Sequence, residues 1–146
     1  MSDPAVASLT ASEETHLLQL AAEAKRRAYV PFSGFPVGAA VLTAAGGYFA
    51  GCNIENSSFG LTVCAERVAI FSAVSAEGPE MRLRAVAVTC GEPCVPCGAC
   101  LQVIAEFGPD AVVYLNGPGK IQSTPLASLL PRPFRWNASR PRTDPR

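Results

Sequence analysis

The amino-acid sequence predicts an α/β fold in three layers, with a mixed sheet of roughly five strands flanked by helices. Segments with helical spacing of apolar residues alternate along the chain with short, almost wholly apolar runs. Two of these runs, residues 37–43 and 83–90, contain so few polar side chains that they suit strands covered on both faces. No repeat or low-complexity linker interrupts the 146 residues, so we expect one domain spanning residues 1–146.

The first helix is predicted to begin at Thr10, because Glu13 follows it in a capping-box pattern. Small and apolar residues then recur at helical spacing up to about position 28. These residues are Leu17, Leu18, Ala21, Ala24 and Ala28. Pro31 lacks a backbone donor and should end the helix. We expect both ends of the chain, residues 1–9 and 135–146, to be flexible.

A β-hairpin is predicted next, from two apolar runs at 37–43 and 48–54 that flank the turn sequence AAGG. A second helix is predicted from position 64 to about position 77, because the Gly-Pro pair that follows is a stop signal. The apolar run at 83–90 is then expected to form a buried strand.

The last third of the chain continues the alternation of helix and strand. Its predicted elements are a helix at 97–107, a strand at 111–115, a turn at 117–120 and a fifth strand starting at 121–123. Thr124 and Pro125 form a cap-then-proline pattern, which predicts a short helix through Leu130.

Composition restricts the partners and the location of the protein. Twelve basic residues balance twelve acidic residues, so no excess positive charge is available to bind nucleic acid or an anionic membrane. Hydrophobic residues make up 49% of the chain and charged residues only 16%, which favours a homo-oligomer that covers apolar surface. The N-terminal residues lack a signal-peptide pattern, and no run approaches the ~20 apolar residues of a membrane span. We therefore expect a cytoplasmic protein without membrane contact.

The six cysteines could serve a disulfide framework, a redox pair, an iron–sulfur cluster or a zinc site. Cytoplasmic thiols are normally reduced, which disfavours disulfides, and Cys52 and Cys90 are predicted to be buried strand thiols. An iron–sulfur run that includes Cys94 would need a further cysteine where the chain has Ile104. A thioredoxin-like pair would leave Cys64 without a function.

Two short motifs, CAE at 64–66 and PCGAC at 96–100, lie where a loop is predicted to pass into a helix. The positive end of a helix dipole lowers thiol pKa values and so favours thiolate ligands. Three thiolates could hold zinc with its fourth tetrahedral position open, as in catalytic sites, and Glu66 would lie beside that position. The alternative is a closed structural site, with Cys94 as fourth ligand, in a protein that serves only as a binding module.

Four segments can be compared with known families: FPVGAAVL at 35–42, GCNIENSSFGLTVCAER at 51–67, PCGACLQV at 96–103 and LLPRPF at 129–134. In order and spacing they resemble the zinc-dependent cytidine deaminases of the small homotetrameric type, which act on free nucleosides. The CAE and PCGAC motifs are the signature of zinc deaminases in general. The resemblance covers about residues 12–134.

The resemblance implies a zinc site with one Zn²⁺ per subunit and a carboxylate beside it. The zinc ligands would be Cys64, Cys97 and Cys100, and Glu66 would be the catalytic proton shuttle. Two further residues would hydrogen-bond the ligand sulfurs and so offset their charge: Arg67 and Gln102.

On the substrate side, the resemblance implies that Phe35 packs against the pyrimidine and that the backbone amide of Ala65 binds the carbonyl oxygen of the base. Asn53 and Glu55 would bind the ribose hydroxyls. Phe134 would reach the site of a neighbouring subunit in a homotetramer. The implied reaction is the hydrolytic deamination of free cytidine and deoxycytidine to uridine and deoxyuridine plus ammonia, as in pyrimidine salvage.

The chain departs from the family pattern at a few positions. Leu101 stands where arginine is frequent, Phe32 and Phe59 stand where tyrosine is common, and Cys94 is an additional thiol. A deaminase of antibiotic nucleosides would share the metal motif. The sequence NIEN at 53–56 favours an ordinary ribose instead.

Overall fold

The computed structural model describes residues 9–117 and 119–136. Within these residues the chain forms a five-stranded mixed sheet and four α-helices, as the sequence predicts. The elements are α1 (Ala11–Lys25), β1 (Gly38–Thr43), β2 (Tyr48–Cys52), a 3₁₀ turn (Phe59–Leu61), α2 (Ala65–Glu77), β3 (Leu83–Thr89), α3 (Gly98–Phe107), β4 (Val112–Gly117), β5 (Lys120–Pro125) and α4 (Leu126–Leu129). No helix of the described residues combines the length and the apolar character needed to cross a membrane.

The sheet has the strand order β2-β1-β3-β4-β5, in which β3 and β4 are parallel and the other neighbours are antiparallel. Alternate residues of its central strands face opposite sides. On β1, Ala40 and Leu42 pack with α1, whereas Ala39 and Val41 pack with α2 and α3. Every residue of β1 is therefore buried, which explains its almost unbroken apolar sequence.

The first helix begins at the predicted capping box, with the Glu13 amide donating to Thr10 Oγ1 at 3.2 Å. It ends at Lys25, three residues before the predicted end. The chain leaves the helix early because the backbone of Tyr29 pairs with that of residues 53–55. Leu9 was expected in a flexible arm, but it is only 9% exposed and packs against α1. Residues 1–8 of that arm lie outside the described residues.

The C-terminal elements differ from the prediction in one respect. Thr124 and Pro125 belong to β5, where they pair with β4, and α4 begins only after them. Pro125 is tolerated in β5 because this strand lies at the edge of the sheet. Of the tail expected to be flexible, Arg135 and Trp136 are exposed and form no regular structure, and residues 137–146 lie outside the described residues.

Close packing of α2 on the sheet fixes where the predicted functional residues lie. A Cβ atom at Gly51 of β2 would come within 2.6 Å of the Ala69 amide nitrogen and 2.8 Å of the Ala65 carbonyl oxygen. Only glycine therefore allows the first turns of α2 to lie this close to β2. The N-terminus of α2 is held against the sheet as a result, together with the cysteine that precedes it.

Candidate metal centre

The three predicted zinc ligands come together at the starts of two helices. Cys64 is the N-cap of α2, Cys97 is the N-cap of α3, and Cys100 lies in the first turn of α3. Neither cap side chain bonds the backbone of its own helix, so both sulfurs are free to face a shared ligand. Partial positive charge at both helix starts favours the thiolate form of these residues.

The spacing of the three sulfurs fits a single zinc ion. The Sγ atoms of Cys64, Cys97 and Cys100 all lie within 4.8 Å of one another, and those of Cys64 and Cys97 are 3.9 Å apart. Tetrahedral zinc with bonds of about 2.3 Å requires sulfur atoms ~3.8 Å apart. Among the described residues, this is the one cluster of three or more histidine, cysteine or acidic side chains with metal-binding spacing.

Cys94 does not complete a four-cysteine site, because it forms a disulfide with Cys90, and the two Cα atoms are 6.5 Å apart. The expectations that disulfides are disfavoured and that Cys90 is a strand thiol were therefore wrong. Cys90 is buried but lies just after β3, where the chain turns back far enough for Cys94 to reach it. Cys52 is a half-buried free thiol at the end of β2, not a fully buried one.

Arg67 supplies positive charge beside the sulfurs. Its Nη2 atom donates to Cys64 Sγ at 3.3 Å. The hydrogen bond from Cys100, with further hydrogen bonds from Arg67 and Cys97, lowers the pKa of Cys64 to about 5. The same bond with Cys64, together with burial, raises the pKa of Cys100. Arg67 itself stays charged, because its bond to Cys64 raises its pKa.

Glu66 is a buried carboxyl group beside this cluster, with only 4% of its surface exposed. Burial raises the pKa of Glu66, and the negative charge of Cys64 raises it further. It faces a cavity of about 250 Å³ whose lining also includes Cys64, Cys97 and Phe35. A carboxyl group with a raised pKa that faces a cavity is suited to accept and release a proton during a reaction.

The cavity also contains the residues expected to bind substrate. The ring of Phe35 is 45% exposed and forms part of the wall. Ala65 is the first residue of α2, so its backbone amide has no acceptor within the helix and is free for a ligand. Asn53 lines the same cavity and also hydrogen-bonds the backbone of two other lining residues. The Oδ1 atom of Asn53 accepts from the Val37 amide at 2.8 Å, and its Nδ2 atom donates to the Phe35 carbonyl at 2.9 Å.

Glu55 lies in a second cavity of about 400 Å³, lined also by Phe32, Ser33, Phe59 and Thr62. Thr62 lines both cavities, so the two are adjacent. Asn53 and Glu55 were expected at the end of a strand, but β2 ends at Cys52. Both residues lie in the segment that follows, and both bind the loop of residues 32–37, which we call the 32–37 loop.

Gln102 does not contact the sulfurs through its side chain, contrary to expectation. Its Nε2 atom donates to the Phe134 carbonyl at 2.8 Å, and its Oε1 atom accepts from the Phe134 amide at 2.9 Å. Two residues along a helix correspond to about 200° of rotation, so the side chains of Cys100 and Gln102 leave α3 on nearly opposite sides. Phe134 is thereby anchored through its backbone, while its ring stays 70% exposed.

No sequence pattern singles out Ser33 or Thr62, although both line the cavity around Glu55. Ser33 stands in the loop sequence PFSGF, one residue from Phe32 and two from Phe35. Its position between two aromatic residues is the only signal that could have drawn attention to it. Leu101 is 7% exposed and belongs to the core, so this position contributes packing rather than charge.

Known proteins are similar to this chain in both sequence and fold. Residues 11–116 match the family described as the cytidine and deoxycytidylate deaminase zinc-binding region. The cytidine deaminase of Sporosarcina psychrophila is 49% identical, over 77% of this chain and 84% of that protein. The cytidine deaminase of Halalkalibacterium halodurans is 48% identical, over 81% of this chain and 91% of that protein. The crystal structure of cytidine deaminase from Burkholderia pseudomallei superimposes with a TM-score of 0.77 and 42% identity, covering 86% of this chain and all of that one.

Proposed function

The chain belongs to the cytidine and deoxycytidylate deaminase family, and from this premise we propose that it hydrolyses free cytidine and deoxycytidine to uridine and deoxyuridine plus ammonia. One observation carries the proposal. Three cysteine sulfurs with the spacing of zinc ligands lie together, and two of these residues, Cys64 and Cys97, line a cavity with the buried carboxyl group of Glu66. A single zinc ion and a carboxyl group that transfers protons, both at one cavity, are what zinc deaminases use to hydrolyse an amino-pyrimidine.

Cys64, Cys97 and Cys100 would hold the zinc ion. Bound there, zinc supplies Lewis acidity that lowers the pKa of a water molecule toward neutrality. Three thiolates leave the cluster with one net negative charge, which opposes that effect. Arg67 and the two helix starts offset this charge.

Glu66 moves the protons of the reaction. Deamination adds water to the ring carbon that carries the amine and releases ammonia. Glu66 takes one proton from the water and gives it to the neighbouring ring nitrogen, which makes that carbon electrophilic. It then carries the second proton to the amine, which leaves. Its raised pKa suits it to hold a proton between these two transfers.

The remaining residues select and orient the substrate. Phe35 would pack against the pyrimidine, and the Ala65 amide would bind the carbonyl oxygen of the base. Asn53 and Glu55 would bind the sugar hydroxyls. Hydrogen bonds from Ser33 and from the backbone of Phe32 lower the pKa of Glu55 and keep it ionised. The carboxylate accepts hydrogen bonds from hydroxyl groups and repels phosphate, so we place free nucleosides ahead of nucleotides.

We further propose a cytoplasmic homotetramer of single-domain subunits that acts in pyrimidine salvage. Exposed apolar side chains support the association, because a monomer rarely leaves so many in contact with water. Phe71 of α2 is 50% exposed and lines a groove with the half-buried Val63 and Val68, and Leu61 is 65% exposed. Light scattering tests this directly. Four subunits of 15.3 kDa per particle are expected, and a monomer would contradict it.

The activity is tested with zinc-loaded protein and a substrate panel. Cytidine and deoxycytidine should be converted, as followed by the ultraviolet change from cytidine to uridine. Cytosine and cytidine monophosphate should be poor substrates, because the first lacks a sugar and the second carries a phosphate into the pocket of Glu55. Absence of turnover with both nucleosides at full zinc occupancy would contradict the proposed function. Preferred conversion of an antibiotic nucleoside would contradict the substrate class alone.

A further inference from the structure

We propose that Ser33 is a positioning residue, which holds the Glu55 carboxylate in the orientation that accepts a sugar hydroxyl and links it to the Phe35 segment. This rests on the function proposed above, in which Glu55 binds the sugar and Phe35 the base. Ser33 lies in the 32–37 loop and lines the cavity of Glu55 together with Phe32 and Phe59.

Three donors fix the Glu55 carboxylate, and Ser33 provides two of them. Glu55 Oε2 accepts from the Phe32 amide at 2.9 Å and from the Ser33 amide at 3.2 Å. Glu55 Oε1 accepts from the Ser33 hydroxyl. An ionised carboxylate offers about four acceptor positions, so one is left for a ligand. A hydroxyl group of the sugar can donate to this remaining position.

The Ser33 hydroxyl also connects the two halves of the substrate pocket. While it donates to Glu55, its oxygen accepts from the Phe35 amide at 3.1 Å. The Ser33 hydroxyl therefore binds both the Glu55 carboxylate on the sugar side of the pocket and the backbone amide of Phe35 on the base side. If the hydroxyl is removed, Glu55 Oε1 is freed to rotate and the Phe35 amide loses its acceptor.

The 32–37 loop has a second support, so loss of the Ser33 hydroxyl should leave its fold in place. Asn53 binds the Phe35 carbonyl and the Val37 amide through its side chain, independently of Ser33. Ser33 is itself exposed and belongs to no helix or strand. A defect of a Ser33 variant can therefore be measured on a folded, zinc-loaded protein.

The experiment compares steady-state kinetics of zinc-loaded Ser33→Ala with the unaltered protein on cytidine. We expect KM to rise about tenfold, as loss of one charge-assisted hydrogen bond implies, and kcat to change less than about twofold, because the metal ligands and Glu66 are untouched. Ser33→Thr keeps the hydroxyl and should restore KM. Ser12→Ala removes an exposed serine of α1 and serves as the matched control.

A double-variant cycle shows whether Ser33 acts through Glu55. Glu55→Gln alone should raise KM, and Ser33→Ala added to it should raise KM by less than about twofold more, because the two changes remove the same interaction. The effect of Ser33→Ala should also disappear for whichever of 2′-deoxycytidine and 3′-deoxycytidine lacks the hydroxyl that Glu55 binds. Equal effects on both analogues, additive effects in the cycle, or an unchanged KM would each overturn the proposal.

Failure of the proposed function can be distinguished from failure of the role proposed for Ser33. An unaltered, zinc-loaded protein that does not convert cytidine contradicts the proposed function, and the role of Ser33 with it. Normal conversion with a Ser33→Ala protein of unchanged KM contradicts only the role of Ser33. A lower KM in Ser33→Ala would also contradict it, since the hydroxyl would then occupy the position that the sugar takes.

Discussion

The sulfur site (Cys64, Cys97 and Cys100) and the 32–37 loop both contribute to the wall of the cavity of about 250 Å³ but are held in place differently. The sulfur site stands on the first residues of α2 and α3, two helices whose inner faces belong to the core. The 32–37 loop is exposed and is held by the side chains of Asn53 and Glu55. Under the proposed function, chemistry therefore depends on core packing, whereas sugar recognition depends on a few surface hydrogen bonds. Changes in the first region should reduce kcat or metal content, and changes in the second should raise KM.

Removal of a zinc ligand should have the largest effect. Cys100→Ala takes away a fully buried sulfur, so zinc content should fall to near zero and turnover should be undetectable. Cys52→Ala is the control, because this free thiol lies outside the sulfur site. Elemental analysis by mass spectrometry measures the zinc content of both variants. Stoichiometric zinc in Cys100→Ala would mean that another group is the third ligand.

Glu66→Gln should separate chemistry from metal binding. It keeps the shape of the side chain but cannot carry a proton, so kcat should fall by at least about 10³-fold while zinc and KM are retained. Glu106→Gln, on the exposed side of α3, should behave as the unaltered protein. A Glu66→Gln protein with more than a tenth of the original kcat would remove Glu66 from its role.

Arg67→Ala should produce an intermediate effect on the same region. Loss of the cation next to Cys64 leaves the sulfur charge less compensated, so kcat should fall by about tenfold to a hundredfold with zinc still bound. The measurement is kcat normalised to zinc content. Unchanged kcat at full occupancy would show that the helix starts alone provide the compensation.

Asn53→Ala should affect the 32–37 loop and leave the sulfur site intact. Two hydrogen bonds to the backbone of Phe35 and Val37 are lost, so KM should rise about tenfold to thirtyfold with little change in kcat. A fall in kcat with unchanged KM would contradict the division of the pocket into a chemical and a recognition region.

Cys94→Ser should have the smallest effect on the metal, because Cys94 is paired with Cys90 and lies outside the sulfur site. Zinc content should be unchanged. The free energy of unfolding should fall by at most about 2 kcal/mol, since the disulfide closes a loop of only a few residues. A reducing agent should lower the stability of the unaltered protein by the same amount and leave that of the variant unchanged. Loss of zinc from Cys94→Ser would instead support the closed structural site in which Cys94 is the fourth ligand.

The sulfur site could be predicted from sequence because the CAE and PCGAC motifs place its ligands at helix starts, where thiolates are favoured. Helical spacing places the Gln102 side chain on the side of α3 away from Cys100, but it does not show that this side chain binds the Phe134 backbone, which depends on three-dimensional packing. The same limit applies to the pairing of Cys90 with Cys94 and to the roles of Asn53 and Ser33 in holding a loop. These contacts join residues that local patterns do not connect, as the early end of α1 at Lys25 also illustrates.

The central claim is that three sulfurs bind one zinc ion and leave a position open next to Glu66. X-ray absorption at the zinc edge of the purified, zinc-loaded protein measures this directly. Three sulfur neighbours at about 2.3 Å and one oxygen neighbour at about 2.0 Å are expected around the zinc ion. Four sulfur neighbours, or fewer than three, would contradict it.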